Sequence, residues 1–187
     1  MLPPKAESVD AAGARDGFEA PRAFRAEVVG PGFTRLVVSA PPDTLPAIHQ
    51  ALVRRLEPPF RVLYQRLTDR STGQLAKPEH HVAVELGAQT VLDALTACAP
   101  LVYHDGRHQL WIEGRHDAKV VLEETGVIYV YPDDPSFRDV LSEHGVREGD
   151  DKNVGDRDYV RVNFLAEADG LEDHLLHTLH LQRWDRR

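Results

Sequence analysis

The chain of 187 residues sets 30 Asp and Glu against 22 Lys and Arg, a net charge of −8, with 42% apolar and 28% charged residues. That balance is globular rather than disordered. It lacks the basic footprint of a general nucleic-acid binder, and no apolar run approaches the roughly 20 residues of a membrane span. The lone Cys98 cannot form an internal disulfide and no apolar secretory segment opens the chain, so a reducing, cytoplasmic protein is expected.

Residues 1–21, rich in Ala, Gly, Pro and charge without periodicity, read as a disordered tail ahead of one α+β domain over 22–187. Two lobes joined near 101–115 are the alternative. Segments 23–29 and 33–39 are β-prone and separated by Gly30-Pro31-Gly32, which predicts a hairpin. After Pro41-Pro42, Asp43 or Thr44 caps a helix carrying Leu45, Ile48, Leu52 and Leu56 at helical spacing, and Pro58-Pro59 ends it. A strand is expected over 60–67, then a loop with its bend at Ser71-Thr72-Gly73. A second strand over 81–86 carries Val82, Val84 and Leu86 on one side. A helix over 89–97 turns Val91, Leu92, Leu95 and Cys98 inward.

Asp105-Gly106 is a strong signal for a type I′ hairpin turn, which needs positive φ at both central residues. With that turn Leu101, Tyr103, His108, Leu110 and Ile112 share a core face. Val102, His104, Arg107, Gln109, Trp111 and Glu113 share the other face, where aromatic and polar side chains stand together as a binding surface requires. A three-residue turn would instead set His104 across from His108. Strands over 119–123 and 127–131 form a further hairpin. Asp134-Pro135 starts a helix burying Phe137, Val140 and Leu141, and Gly145-Val146 stops it as a Schellman motif. An acidic loop over 147–158, a strand over 159–164 and a helix over 171–181 close the chain. From residue 33 to 104 the order is β-α-β-β-α-β, the order of a ferredoxin-like half, in an antiparallel sheet packed by helices.

Candidate chemistry is sparse. His174, His177 and His180 lack the zincin spacing of four, and of His80-His81 at most one can join a site. Cys98 falls on a buried helix face, where it acts as a small hydrophobe. No Ser sits in a nucleophile elbow, and Gly30-Pro31-Gly32 is too short to cradle phosphate. Asp151, Asn153 and Gly155 follow the opening of a calcium loop, but the later Gly and Glu positions fail. Glu123-Glu124 and Asp133-Asp134 sit at turns or caps rather than as acid/base couples. Arg54, Arg55, Arg61, Arg66 and Arg70 cluster along one segment, and Arg183, Arg186 and Arg187 end the chain. They make either a solvated face or a patch for a carboxylate-bearing partner.

Asp105-Gly-Arg-His-Gln-Leu-Trp-Ile112, with Val127-Ile-Tyr-Val-Tyr-Pro132 and Phe137-Arg-Asp-Val-Leu141, resembles a group of small bacterial proteins over 33–181. That group includes non-catalytic peptide-binding accessories in the biosynthesis of ribosomally made peptides such as the crocagins. The resemblance implies peptide binding without chemistry and carries no catalytic residues to map. From the residues, the expected function is a non-catalytic module that binds a peptide or protein segment through His104, Arg107, Gln109, Trp111 and Glu113, with no nucleic acid, membrane, metal or cofactor. A homodimer is compatible with it. Two rivals stand beside it. One is an acidic immunity-type or regulatory protein acting through Asp150, Asp151, Asp156 and Asp158. The other is an enzyme using His104 and His108 as acid/base groups or metal ligands.

Overall fold

A computed structural model describes residues 2–69 and 77–184. The elements run β1 (Ala6–Ser8), β2 (Ala23–Gly30), β3 (Phe33–Ser39), α1 (Leu45–Arg55), β4 (Phe60–Arg66), β5 (Glu79–Leu86), α2 (Ala88–Ala97), α3 (Ala99–His104), β6 (His108–Glu113), β7 (Lys119–Leu122), β8 (Ile128–Tyr131), α4 (Pro135–Glu143), β9 (Arg147–Glu148), β10 (Tyr159–Arg161), α5 (Leu171–Thr178) and β11 (Gln182–Arg183). Nine strands form one sheet in the order β11-β5-β4-β6-β7-β8-β3-β2-β9, antiparallel except at β2–β9, while β1 and β10 pair separately. The fold is α+β. Strands from before and after 101–115 share that sheet, so the chain does not divide there. The bend expected at Ser71-Thr72-Gly73, and Arg70, Arg186 and Arg187, lie outside the described residues.

Strand alternation sends one set of side chains into the helical layer. Leu36, Val38, Val62, Tyr64, Leu110, Ile112, Val120, Leu122, Ile128 and Val130 are all buried. They join Ile48, Leu52, Leu95, Leu101, Leu141 and Leu175 from the helices in one core. Burying a side chain of this kind contributes about 1.5–3 kcal/mol. The hairpin at Gly30-Pro31-Gly32 forms, with Gly32 at φ +70°. Thr44 is the N-cap of α1, but its hydroxyl donates to Pro41 O at 3.1 Å rather than accepting from the helix. In α4 the cap and the stop hold, and Phe137 and Leu141 are buried while Val140 is only partly so. The Asp134 carboxylate accepts from Ser136 N at 2.8 Å, Val146 N donates to Leu141 O, and Gly145 N donates to Ser142 O. These last two bonds are the Schellman pair.

Several expectations are corrected. Residues 99–104 form α3 instead of a strand, so no Asp105-Gly106 hairpin exists. Pro100 sits in its first turn, where a missing N–H costs nothing, and Asp105 ends it in extended conformation at φ −117°. The β-α-β-β-α-β order therefore closes on β6. In space β3 pairs with β2 and β8 rather than entering between the other strands, which is not the ferredoxin arrangement. The N-terminal segment is not a free tail, because β1 pairs with β10 and Lys5 is only 1% exposed. The strand over 159–164 shortens to Tyr159–Arg161, and the acidic loop contains β9 and a turn of 3-10 helix at Val154–Asp156 capped by Asn153.

Candidate functional site

The buried side chains of all five helices lie in the core on one side, and the opposite sheet face carries the N-terminal segment at one end and Trp184, against Arg61 and His80, at the other. At the first of these ends the N-terminal segment and the 3-10 turn cover it, packing Ala6, Phe18, Val127 and Val154 on Val37 and Tyr129. The register aligns one residue per strand across the face: Val82, Leu63, Trp111, Val121, Tyr129 and Val37. Five strand spacings make this apolar row roughly 24 Å long. Val121 and Val37 are buried, whereas Leu63, Trp111, Val82 and Tyr129 remain partly exposed.

Polar side chains rim the row on both sides. Along one rim Arg61 binds Glu113 at 3.0 Å and Lys119 stands over the Tyr131 ring at 5.2 Å. Arg35 donates to Tyr131 Oη at 2.7 Å and pairs with Glu27 at 2.6 Å. Along the other rim Gln65 lies opposite Gln109. The Trp111 indole N–H donates to Gln109 Oε1 at 3.3 Å, and Gln109 Nε2 donates to Glu124 Oε2 at 2.6 Å. The indole is thus fixed in orientation with its ring part-exposed, which is how an aromatic anchor is pre-organised. Beyond Gln109, Glu123 is pushed up to about 7 by burial and by the neighbouring Glu124 carboxylate. Arg35 lies 3.8 Å over the Tyr129 ring.

Of the five residues expected at the site, the structure brings Gln109, Trp111 and Glu113 together on this face. His104 and Arg107 are elsewhere. His104 closes α3, and its Nδ1 meets Pro3 O at 2.7 Å. Arg107 points inward, 4% exposed, in a two-pronged pair with Asp105 at 2.9 and 2.7 Å and with Phe164 4.8 Å beneath its guanidinium. Both depart because the hairpin that would have aimed them does not form. Leu63 and Val121 flank Trp111 in the same row without having been expected there. The alternation of Arg61, Leu63 and Gln65 against inward Phe60, Val62 and Tyr64 is the signal that finds Leu63.

The histidines do not converge. His108 is fully buried and stacked 4.8 Å from Tyr64, and its Nε2 lies 3.5 Å from Lys5 Nζ. Burial and the Lys5 and Arg107 cations hold it well below the usual histidine range. No group of three His, Cys, Asp or Glu side chains among the described residues is placed to hold a metal ion. Cys98 is buried, and burial raises its thiol to about 11. In the acidic loop Asp156 takes Arg25 in a two-pronged pair at 3.0 Å and Asp151 pairs with Arg147 at 3.0 Å, so half of that carboxylate set is engaged internally. No described helix is long and apolar enough to cross a membrane.

Comparison with protein-family models, with curated proteins and with solved structures finds no match to this chain.

Proposed function

We propose that this chain is a non-catalytic cytoplasmic binding module that holds an extended peptide, or an extended segment of a partner protein, on the outer face of its sheet. The observation that carries this reading is the part-exposed row Val82–Leu63–Trp111, continued by the buried Val121 and rimmed by polar side chains, with Trp111 locked through Gln109 to Glu124. Three strand spacings make this part of the row roughly 14 Å long, so four or five extended residues at about 3.3 Å each match it. Side chains of such a segment would bury Leu63 and the indole, while its main chain would meet Gln65, Gln109, Arg61 and Glu113. A second contact mode is available at the sheet edge. Strand β9 covers β2 only at Ala23 and Phe24, and Val28 beyond them is 75% exposed, which suits strand addition. A ribosomally made peptide is the ligand class that the resemblance to crocagin-type accessory proteins implies.

Selection from a displayed library of random heptapeptides, followed by calorimetry on the synthetic winners, tests the reading. Trp111→Ala should weaken binding at least tenfold, the scale of an aromatic hot spot. Equal affinity of Trp111→Ala and the unmodified protein would remove the proposed site.

A further inference from the structure

We infer that the cavity between the N-terminal segment and the β3–α1 turn binds a small molecule made of an apolar body and one basic amine. This site is separate from the sheet face, and neither proposal depends on the other. Its volume is about 500 Å³, in the range of small-molecule sites. Pro4, Phe18, Pro41, Pro42, Leu45 and Val127 supply its apolar wall.

The wall is built to stay open. Strand β1 is fastened from behind by β10, and Pro3 O is held by His104. Lys5 Nζ turns away into the protein, donating to Val102 O at 3.0 Å. The second length of wall, 15–20, is pinned through Asp16, which accepts from Ser8 Oγ at 2.8 Å and from Arg157 at 2.6 Å. The same Arg157 guanidinium covers one side of the Phe18 ring at 4.6 Å. Phe18 cannot swing in to fill the space without breaking that contact.

The charge of the lining selects the ligand. Its charged residues are Lys5, Glu7, Arg15, Glu19 and Asp43. Arg15 is matched by Glu7 at 2.6 Å. Lys5 is buried, burial lowers its amine to about 7 so that only about half of its charge remains at neutrality, and that amine is turned onto Val102 O rather than into the cavity. Glu19 and Asp43 are exposed and have no ion-pair partner among the described residues. The interior adds only neutral hydrogen-bonding groups, among them Ser39, Tyr103 and Thr125. An ammonium head at Glu19 and Asp43 is therefore attracted, with its apolar body against Phe18 and Leu45. A carboxylate or phosphate head meets like charge at the same place.

Three probes with one body test this on the full chain: 4-phenylbutylamine, 4-phenylbutanol and 4-phenylbutyrate, each titrated by heteronuclear NMR. The amine should bind with shifts at Phe18, Leu45 and Val127, and the acid at least tenfold more weakly. The double variant Glu19→Gln, Asp43→Asn should bring the amine to the level of the alcohol. Ala20→Trp, which fills the cavity from its wall, should abolish amine binding while circular dichroism stays native. Acid binding as tight as amine binding would overturn the charge assignment. Absence of amine binding at millimolar probe, or binding that survives Ala20→Trp, would overturn the site itself.

Discussion

Gly106 illustrates how a single residue's requirement can be mistaken for another. It has no positive φ, so the freedom that makes glycine useful in a type I′ turn is not used here. A Cβ at this position would stand 2.5 Å from Lys5 O and 3.0 Å from Glu124 O, so glycine is demanded by close backbone approach. Gly106→Ala should cost about 1–3 kcal/mol as an overpacked contact, read as a lowered urea midpoint; an unchanged midpoint would show that the N-terminal segment yields freely. Lys5 supplies a second residue-scale prediction. Burial lowers its amine from 10.5 to about 7 in the folded state. Between these values the unfolded chain binds the extra proton, so stability should rise with pH from about 7 towards 10.5, and this contribution is already lost once pH has fallen to about 7, below which it is flat. The slope contribution approaches about 1.4 kcal/mol per pH unit. Subtracting the stability of Lys5→Met from that of the unmodified protein between pH 7.5 and 9 isolates it; identical slopes would mean the amine is protonated in place.

Elements whose form is dictated locally were legible in the chain. The cap and stop of α4 are written in Asp134-Pro135 and Gly145-Val146, and α2 shows its buried face directly in Val91, Leu92, Leu95 and Cys98. Asp134→Ala should accordingly cost about 1 kcal/mol, measured by thermal unfolding, with no effect on the outer sheet face. Elements decided by distant partners were not legible. Residues 101–104 have strand-like composition, but Pro100 begins a helix and the core accepts Leu101, Val102 and Tyr103 from it. Tyr103 then finds His49 Nδ1 at 3.1 Å, a partner no local pattern could announce. Strand β1 is three residues long and exists only through β10, too short for periodicity to register. In β5, Val82 and Val84 do share a side, the outer one, with Val84 59% exposed. Leu86 leaves that pattern because the strand breaks at Glu85, φ +58°.

At the scale of the whole molecule, helices cover one face of a nine-stranded sheet, and the other face is left as a row of apolar side chains between polar rims. Half of the candidate site could be read in advance, because Gln109, Trp111 and Glu113 alternate along one strand whatever precedes it. The rest could not, since the neighbours of Trp111, Leu63 on β4 and Val121 on β7, are set by strand order. The central claim is that ligand lies on this face. Amide chemical-shift mapping with a selected heptapeptide tests it most directly. Perturbations are expected only at Leu63, Gln109–Glu113 and Lys119–Val121, with α1, α2 and α4 silent. Perturbations centred on those helices instead, with the outer strands unmoved, would contradict it.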